Sequence, residues 1–125
     1  MADITQAIEI DSNDRYRVSV SAHIQSFYYE IRLFPSDGAG GFKPGQVIGY
    51  GDSAHSLWIG TGAEIDGARV QVCVTHGGNT ATSVSDIIVN LDLERSPGVV
   101  EHLHTWKINK GLSSGEFKCL TLEFK

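Results

Sequence analysis

The residues of this 125-residue chain that point most directly to chemistry are aromatic rings placed near carboxylates, amides and imidazoles around Gly-rich turns. Tyr50, Asp52, His55, Asn79 and Trp106 form that set. An aromatic face packs on the apolar C–H face of a pyranose, while Asp, Asn and His hydrogen-bond its hydroxyls, so these are the candidate ligand-binding residues of a carbohydrate site. Trp58 lies between Leu57 and Ile59 and reads as core, where Trp usually belongs. Trp106 reads equally well as core or as a ligand contact. A second group is His102 and His104, which flank Leu103. On a regular strand both imidazoles project from one face about 7 Å apart. They are the candidate zinc ligands, with His76, His55 or Glu101 as a third. Any His-x-His strand has that spacing, and Trp106 and Ile108 continue the face, so histidines at the core edge are the plainer reading. Asp11, Asn13 and Asp14, and elsewhere Asp86, Asp92 and Glu94, are oxygen donors of the kind calcium takes. The EF-hand pattern is missing, and Asp and Asn at turns hydrogen-bond locally without a metal. No cofactor is therefore expected, calcium and zinc being the two to test.

The string Val47-Ile48-Gly49-Tyr50-Gly51-Asp52-Ser53 is an apolar strand running into Gly-Asp-Ser. It resembles the first block of the GDSL-type (SGNH) hydrolases. The resemblance implies Ser53 as a nucleophile toward an ester carbonyl, with a base His near the C-terminus and an Asp three residues before that His. Here Val99 precedes His102 at that distance, and Glu101 precedes His104. The resemblance covers these residues alone, and the family's α/β fold needs parallel strands and crossover helices that the periodicity of this chain does not supply. Gly51-Asp52-Ser53 is read as a turn, and the reading leans away from an enzyme.

The elements that must position these residues are strands. Tyr16, Val18, Val20, Ala22 and Ile24 alternate with Arg15, Arg17, Ser19, Ser21 and His23. Ala68, Val70, Val72 and Val74 alternate with Arg69, Gln71, Cys73 and Thr75, and Ile87, Val89, Leu91 and Leu93 with Ile88, Asn90, Asp92 and Glu94. Period two sends successive side chains to opposite faces, one buried and one wet. After Ile24 the phase slips, and Phe27, Tyr29, Ile31 and Leu33 become the apolar set with Tyr28 outward. That slip marks a bulge, a bend between sheets, or a hairpin at His23–Ser26. Further strands are expected at Ile4–Ile10, Val47-Ile48, Ser56–Ile59, Val99–Ile108 and Glu116–Phe124. Pro35, Asp37-Gly38 and Pro44 make 34–45 a long loop, Asp66-Gly67 reads as a hairpin-type turn, and a helix has room only at Ala81–Ile88.

About eight strands with turn signals every eight to twelve residues predict an all-β fold, an antiparallel β-sandwich of jelly-roll or immunoglobulin-like shape, in a single domain over 1–125. The acidic balance, net charge −5, and scattered Lys and Arg make nucleic acid and anionic membranes poor partners. No signal peptide or apolar membrane span is seen, so a cytoplasmic location is expected. Two cysteines are fewer than small secreted domains usually carry, so Cys73 and Cys119 are expected as free thiols.

Together these features predict a non-enzymatic, lectin-like binding module for a glycan or other small molecule. The alternatives are a small β-barrel enzyme or carrier for a hydrophobic molecule, and a self-assembling or membrane-binding, toxin-like subunit whose edge strands would make a homo-oligomer.

Overall fold

The computed structural model describes residues 4–22, 27–51, 55–76, 87–96, 98–108 and 118–125. Among them are nine strands: β1 (Ile4–Ile8), β2 (Arg15–Ala22), β3 (Phe27–Phe34), β4 (Gln46–Gly51), β5 (His55–Thr61), β6 (Arg69–His76), β7 (Ile87–Arg95), β8 (Val99–Ile108) and β9 (Lys118–Phe124). A single helical turn, α1 (Gly62–Ile65), follows β5. The strands form two sheets, one of five in the order β1-β9-β6-β3-β4 and one of four in the order β5-β2-β7-β8. All pairings are antiparallel except β1 with β9. The chain is thus an all-β sandwich, as the alternation predicts.

The buried faces of β2, β6, β7 and β9 are the apolar ones. Tyr16, Val18 and Val20 of β2, Val89, Leu91 and Leu93 of β7, and Val70, Val72 and Val74 of β6 belong to one hydrophobic cluster with Leu120, Leu122 and Phe124 of β9. The Tyr16 and Phe124 rings meet at 6.2 Å, joining the two sheets. Tyr16 is fully buried yet satisfied, because its hydroxyl accepts the Asp11 N–H at 2.8 Å. The phase slip after Ile24 accompanies a change of sheet: β2 and β3 belong to different sheets and do not pair, which removes the hairpin alternative.

Two local features differ from the sequence expectation. The helical turn lies at 62–65, capped by Thr61, whose hydroxyl accepts the Glu64 N–H while the Glu64 carboxylate accepts the Thr61 N–H at 2.9 Å. Those two bonds hold Glu64 below its ordinary carboxylate range. Gly62 is required here: its N–H donates to the Asp14 carbonyl at 2.8 Å, and a Cβ would fall 2.0 Å from the Asp11 oxygen. The helix considered at Ala81–Ile88 lies mostly outside the described residues, and its last two positions open β7.

The cysteines also differ. Cys73 of β6 and Cys119 of β9 face each other across the ladder and form a disulfide, where free thiols were expected. Residue count could not reveal this, since the pairing depends on a register between segments 46 residues apart. The long loop expected over 34–45 does lie between β3 and β4, and a Ser36–Phe42 bridge closes it on itself. The Asp37 carboxylate accepts the Ala39 and Gly41 N–H groups there, which lowers its pKa.

Candidate functional site

Of the five residues expected to form a loop site, the three within the described residues, Tyr50, His55 and Trp106, are not gathered into one. Tyr50 lies on the outer face of β4, 78% exposed and opposite Glu30. His55 begins β5 opposite Val20, and its ring stacks on Tyr29 at 5.8 Å. Trp106 is 4% exposed and belongs to the core, opposite Val89 on β7. Asp52 and Asn79 lie outside the described residues, as does Asp86.

His102 and His104 are on opposite faces of β8. The register passes from Leu91 opposite His104 to Asp92 opposite His102, so Leu103 is an extra residue, a β-bulge. A bulge reverses the alternation behind it, and this corrects the expectation of a shared face. His104 turns inward, edge-on to Trp106 at 4.9 Å, and burial together with the His102 charge lowers its pKa. His102 turns outward and is exposed. Among the described residues no group of three His, Cys, Asp or Glu side chains is placed to hold a metal. The Asp11–Asp14 turn satisfies itself: Asp11 accepts the Asn13 N–H with its side chain at 2.9 Å and the Asp14 N–H with its carbonyl.

The outer face of the four-stranded sheet carries the most developed arrangement of polar side chains. Asp92 on β7 lies opposite both Ser19 on β2 and His102 on β8. His102 is engaged at both nitrogens, Nδ1 by Asp92 Oδ1 at 2.8 Å and Nε2 by Thr105 Oγ1 at 2.7 Å. The Thr105 hydroxyl donates to Asn90 Oδ1 at 2.8 Å. On the other side of β2, the Ser19 and Ser56 hydroxyls are 2.8 Å apart. A row of hydroxyl, carboxylate, imidazole and amide groups therefore crosses all four strands.

Beside that row stands Trp58 of β5, opposite Arg17 and 43% exposed. The sequence places it in the core. It faces outward by the alternation of β5, since Leu57 and Ile59 on either side pack against the core and the register puts Leu57 opposite Val18 and Trp58 opposite Arg17. The guanidinium carbons of Arg15 and Arg17 lie 5.0 and 4.9 Å from its ring centroid, the geometry of cation–π contact. Arg17 is also ion-paired with Glu94 across the β2–β7 ladder. The carboxylate–imidazole–hydroxyl order of Asp92, His102 and Thr105 resembles a nucleophile relay, but His102 and Thr105 stand exposed on an open sheet face. Such a surface offers hydrogen bonds to a ligand lying across it.

The alternation places Arg15, Arg17, Ser19, Asn90 and Asp92 on wet faces without joining them. The signal was present in the alternation of β2 and β7, and what it lacked was the pairing of β2 with β7.

The outer face of the five-stranded sheet holds the Cys73–Cys119 bond, the Arg69–Glu123 pair at 3.1 Å and the Glu30–Arg32 pair. At one end of that sheet a crevice of about 390 Å³ lies under the 36–42 loop. Phe42, Arg69, Glu123 and Lys125 are among its lining residues, and Arg69 sits over the Phe42 ring at 4.3 Å. No helix among the described residues is long and apolar enough to cross a membrane. No protein-family model matches the chain, and no curated protein or solved structure does either.

Proposed function

We propose that this chain is a non-enzymatic, lectin-like module that binds carbohydrate on the outer face of its four-stranded sheet. The observation that carries the reading is the exposed Trp58 indole beside the Ser56–Ser19–Asp92–His102–Thr105–Asn90 row. An indole packs on the C–H face of a pyranose, and short hydroxyl, amide and carboxylate groups exchange hydrogen bonds with its hydroxyls. Asp92 and Asn90 are already held by neighbours, so little side-chain entropy is lost when a sugar binds. The loop residues expected from sequence give way to this face as the site.

A broad glycan array with the intact protein, with and without calcium, tests the reading. Capture of at least one glycan class that Trp58→Ala weakens by about tenfold or more is the expected result. A flat response under both conditions overturns it.

A second reading, a carrier for a small hydrophobic molecule, draws on the crevice beside Phe42, whose volume lies in the range of small-molecule pockets. A thermal shift on adding small aromatic compounds, lost in Phe42→Ala, would favour it. Location bears on both readings. The cytoplasm expected from the sequence keeps thiols reduced, whereas a Cys73–Cys119 pair persists in oxidising surroundings. Thiol titration of protein made in each compartment decides between them.

A further inference from the structure

We infer that the Trp58 end of this face selects sugars bearing a carboxylate or a sulfate, an inference that rests on the carbohydrate reading. Arg15 and Arg17 stand two residues apart on the outer face of β2, and both guanidinium groups contact the same indole. Their charges are placed differently. Arg17 is neutralised by Glu94 on the neighbouring strand. Arg15 is exposed and has no carboxylate within ion-pairing distance among the described residues. Its charge helps to lower the Glu64 pKa, but the Glu64 carboxylate accepts the Thr61 N–H at 2.9 Å and serves the α1 cap.

A guanidinium with no ion-pair partner among the described residues therefore stands over an indole that is 43% exposed. A pyranose packed on that indole brings its ring substituents close to Arg15. The planar fork of N–H donors on Arg matches a carboxylate or sulfate with two parallel hydrogen bonds, where a neutral hydroxyl takes only one. The chain as a whole carries a net charge of −5 and repels polyanions at long range. A preference for acidic sugars must then come from a local cation.

The test is an array that pairs neutral glycans with their carboxylate-bearing and sulfated counterparts, read with wild type, Arg15→Gln and Arg15→Lys. The expected result is tighter capture of the acidic member by about tenfold or more, a preference that weakens as salt is raised. Arg15→Gln should bring the acidic-to-neutral ratio to about one, with Arg15→Lys between, because an ammonium keeps the charge but loses the fork. The two acidic arms tell a carboxylate site from a sulfate site. Equal capture of neutral and acidic members by wild type overturns the inference and leaves the carbohydrate reading standing. So does a preference that survives in Arg15→Gln. Capture of nothing on the array overturns both. Unchanged thermal unfolding of Arg15→Gln shows that any change in ratio is not a loss of fold.

Discussion

On the outer face of the five-stranded sheet, β6 is tied to β9 by the Cys73–Cys119 bond and the Arg69–Glu123 pair. On the outer face of the four-stranded sheet, the Arg17–Glu94 ion pair stands beside hydrogen bonds among hydroxyl, carboxylate, imidazole and amide groups, with an exposed indole next to them. Both faces come from the same alternation of buried and wet residues. The first uses its polar positions to fix strand register, because opposite charges and paired sulfurs consume one another. The second keeps capacity in reserve. A carboxylate, an amide and two serine hydroxyls each have more donor or acceptor sites than the row employs. A face that holds itself together covalently has little left to offer a ligand, whereas one held by exchangeable hydrogen bonds can trade them.

The largest effect expected from breaking this contrast is on stability. Replacing Cys73 and Cys119 together by Ala opens a link across 46 residues. It should lower the unfolding free energy in a denaturant titration by about 4 kcal/mol in the chain-entropy account. The folded fraction should still capture glycan; loss of capture by folded double variant would show that the two faces are not separate in function. Next is Trp58→Ala, expected to weaken glycan capture by about tenfold or more while costing only about 1 kcal/mol of stability through lost Arg15 and Arg17 contacts. A stability loss several times larger would mark Trp58 as a structural residue. Asp92→Ala removes the partner of His102 Nδ1 and should cost about 1 kcal/mol. Calorimetric unfolding of that variant beside Asp92→Asn separates the bond itself from its charge.

The smallest effect concerns acid. His104 titrates below its ordinary value of 6.5, because burial and the His102 charge disfavour its protonated form. Between that lowered pKa and 6.5 the unfolded chain binds more protons than the folded one, so stability rises with pH through the interval and declines on acidification. His104→Gln should flatten that part of a stability-against-pH curve. An unchanged slope would place the acid sensitivity elsewhere.

The buried frame was legible in the sequence where alternation ran long. Tyr16, Val18 and Val20, Val70, Val72 and Val74, and Val89, Leu91 and Leu93 all face the core as their spacing predicts. Tyr28 is exposed as expected, since it lies across its strand from Tyr29 and Ile31. The α1 cap was also within reach, because Thr61 and Glu64 stand at the spacing of a capping box. The candidate site was less legible for a physical reason. A bulge leaves almost no trace in composition, yet the one at Leu103 separates His102 from His104. Trp58, by contrast, was within reach: Leu57 and Ile59 on either side take the core face of β5, and period two turns the indole outward. The Asp92–His102 contact needs the register of two strands, and the disulfide needs that of two others. Such information resides in pairings between distant segments, not in any window of sequence.

The position of β9 has a kinetic consequence. It lies between β1 and β6, so the five-stranded sheet is completed by a strand more than 100 residues removed from one of its neighbours. During synthesis, β1 waits without its partner and β6 presents an open edge until residues 118–124 emerge. Long-range closures of this kind make folding slow, in the millisecond-to-second range typical of all-β domains. For that period the Val-rich β6 is exposed to pairing with other chains, and the interval before β9 docks is when this protein is most prone to aggregate.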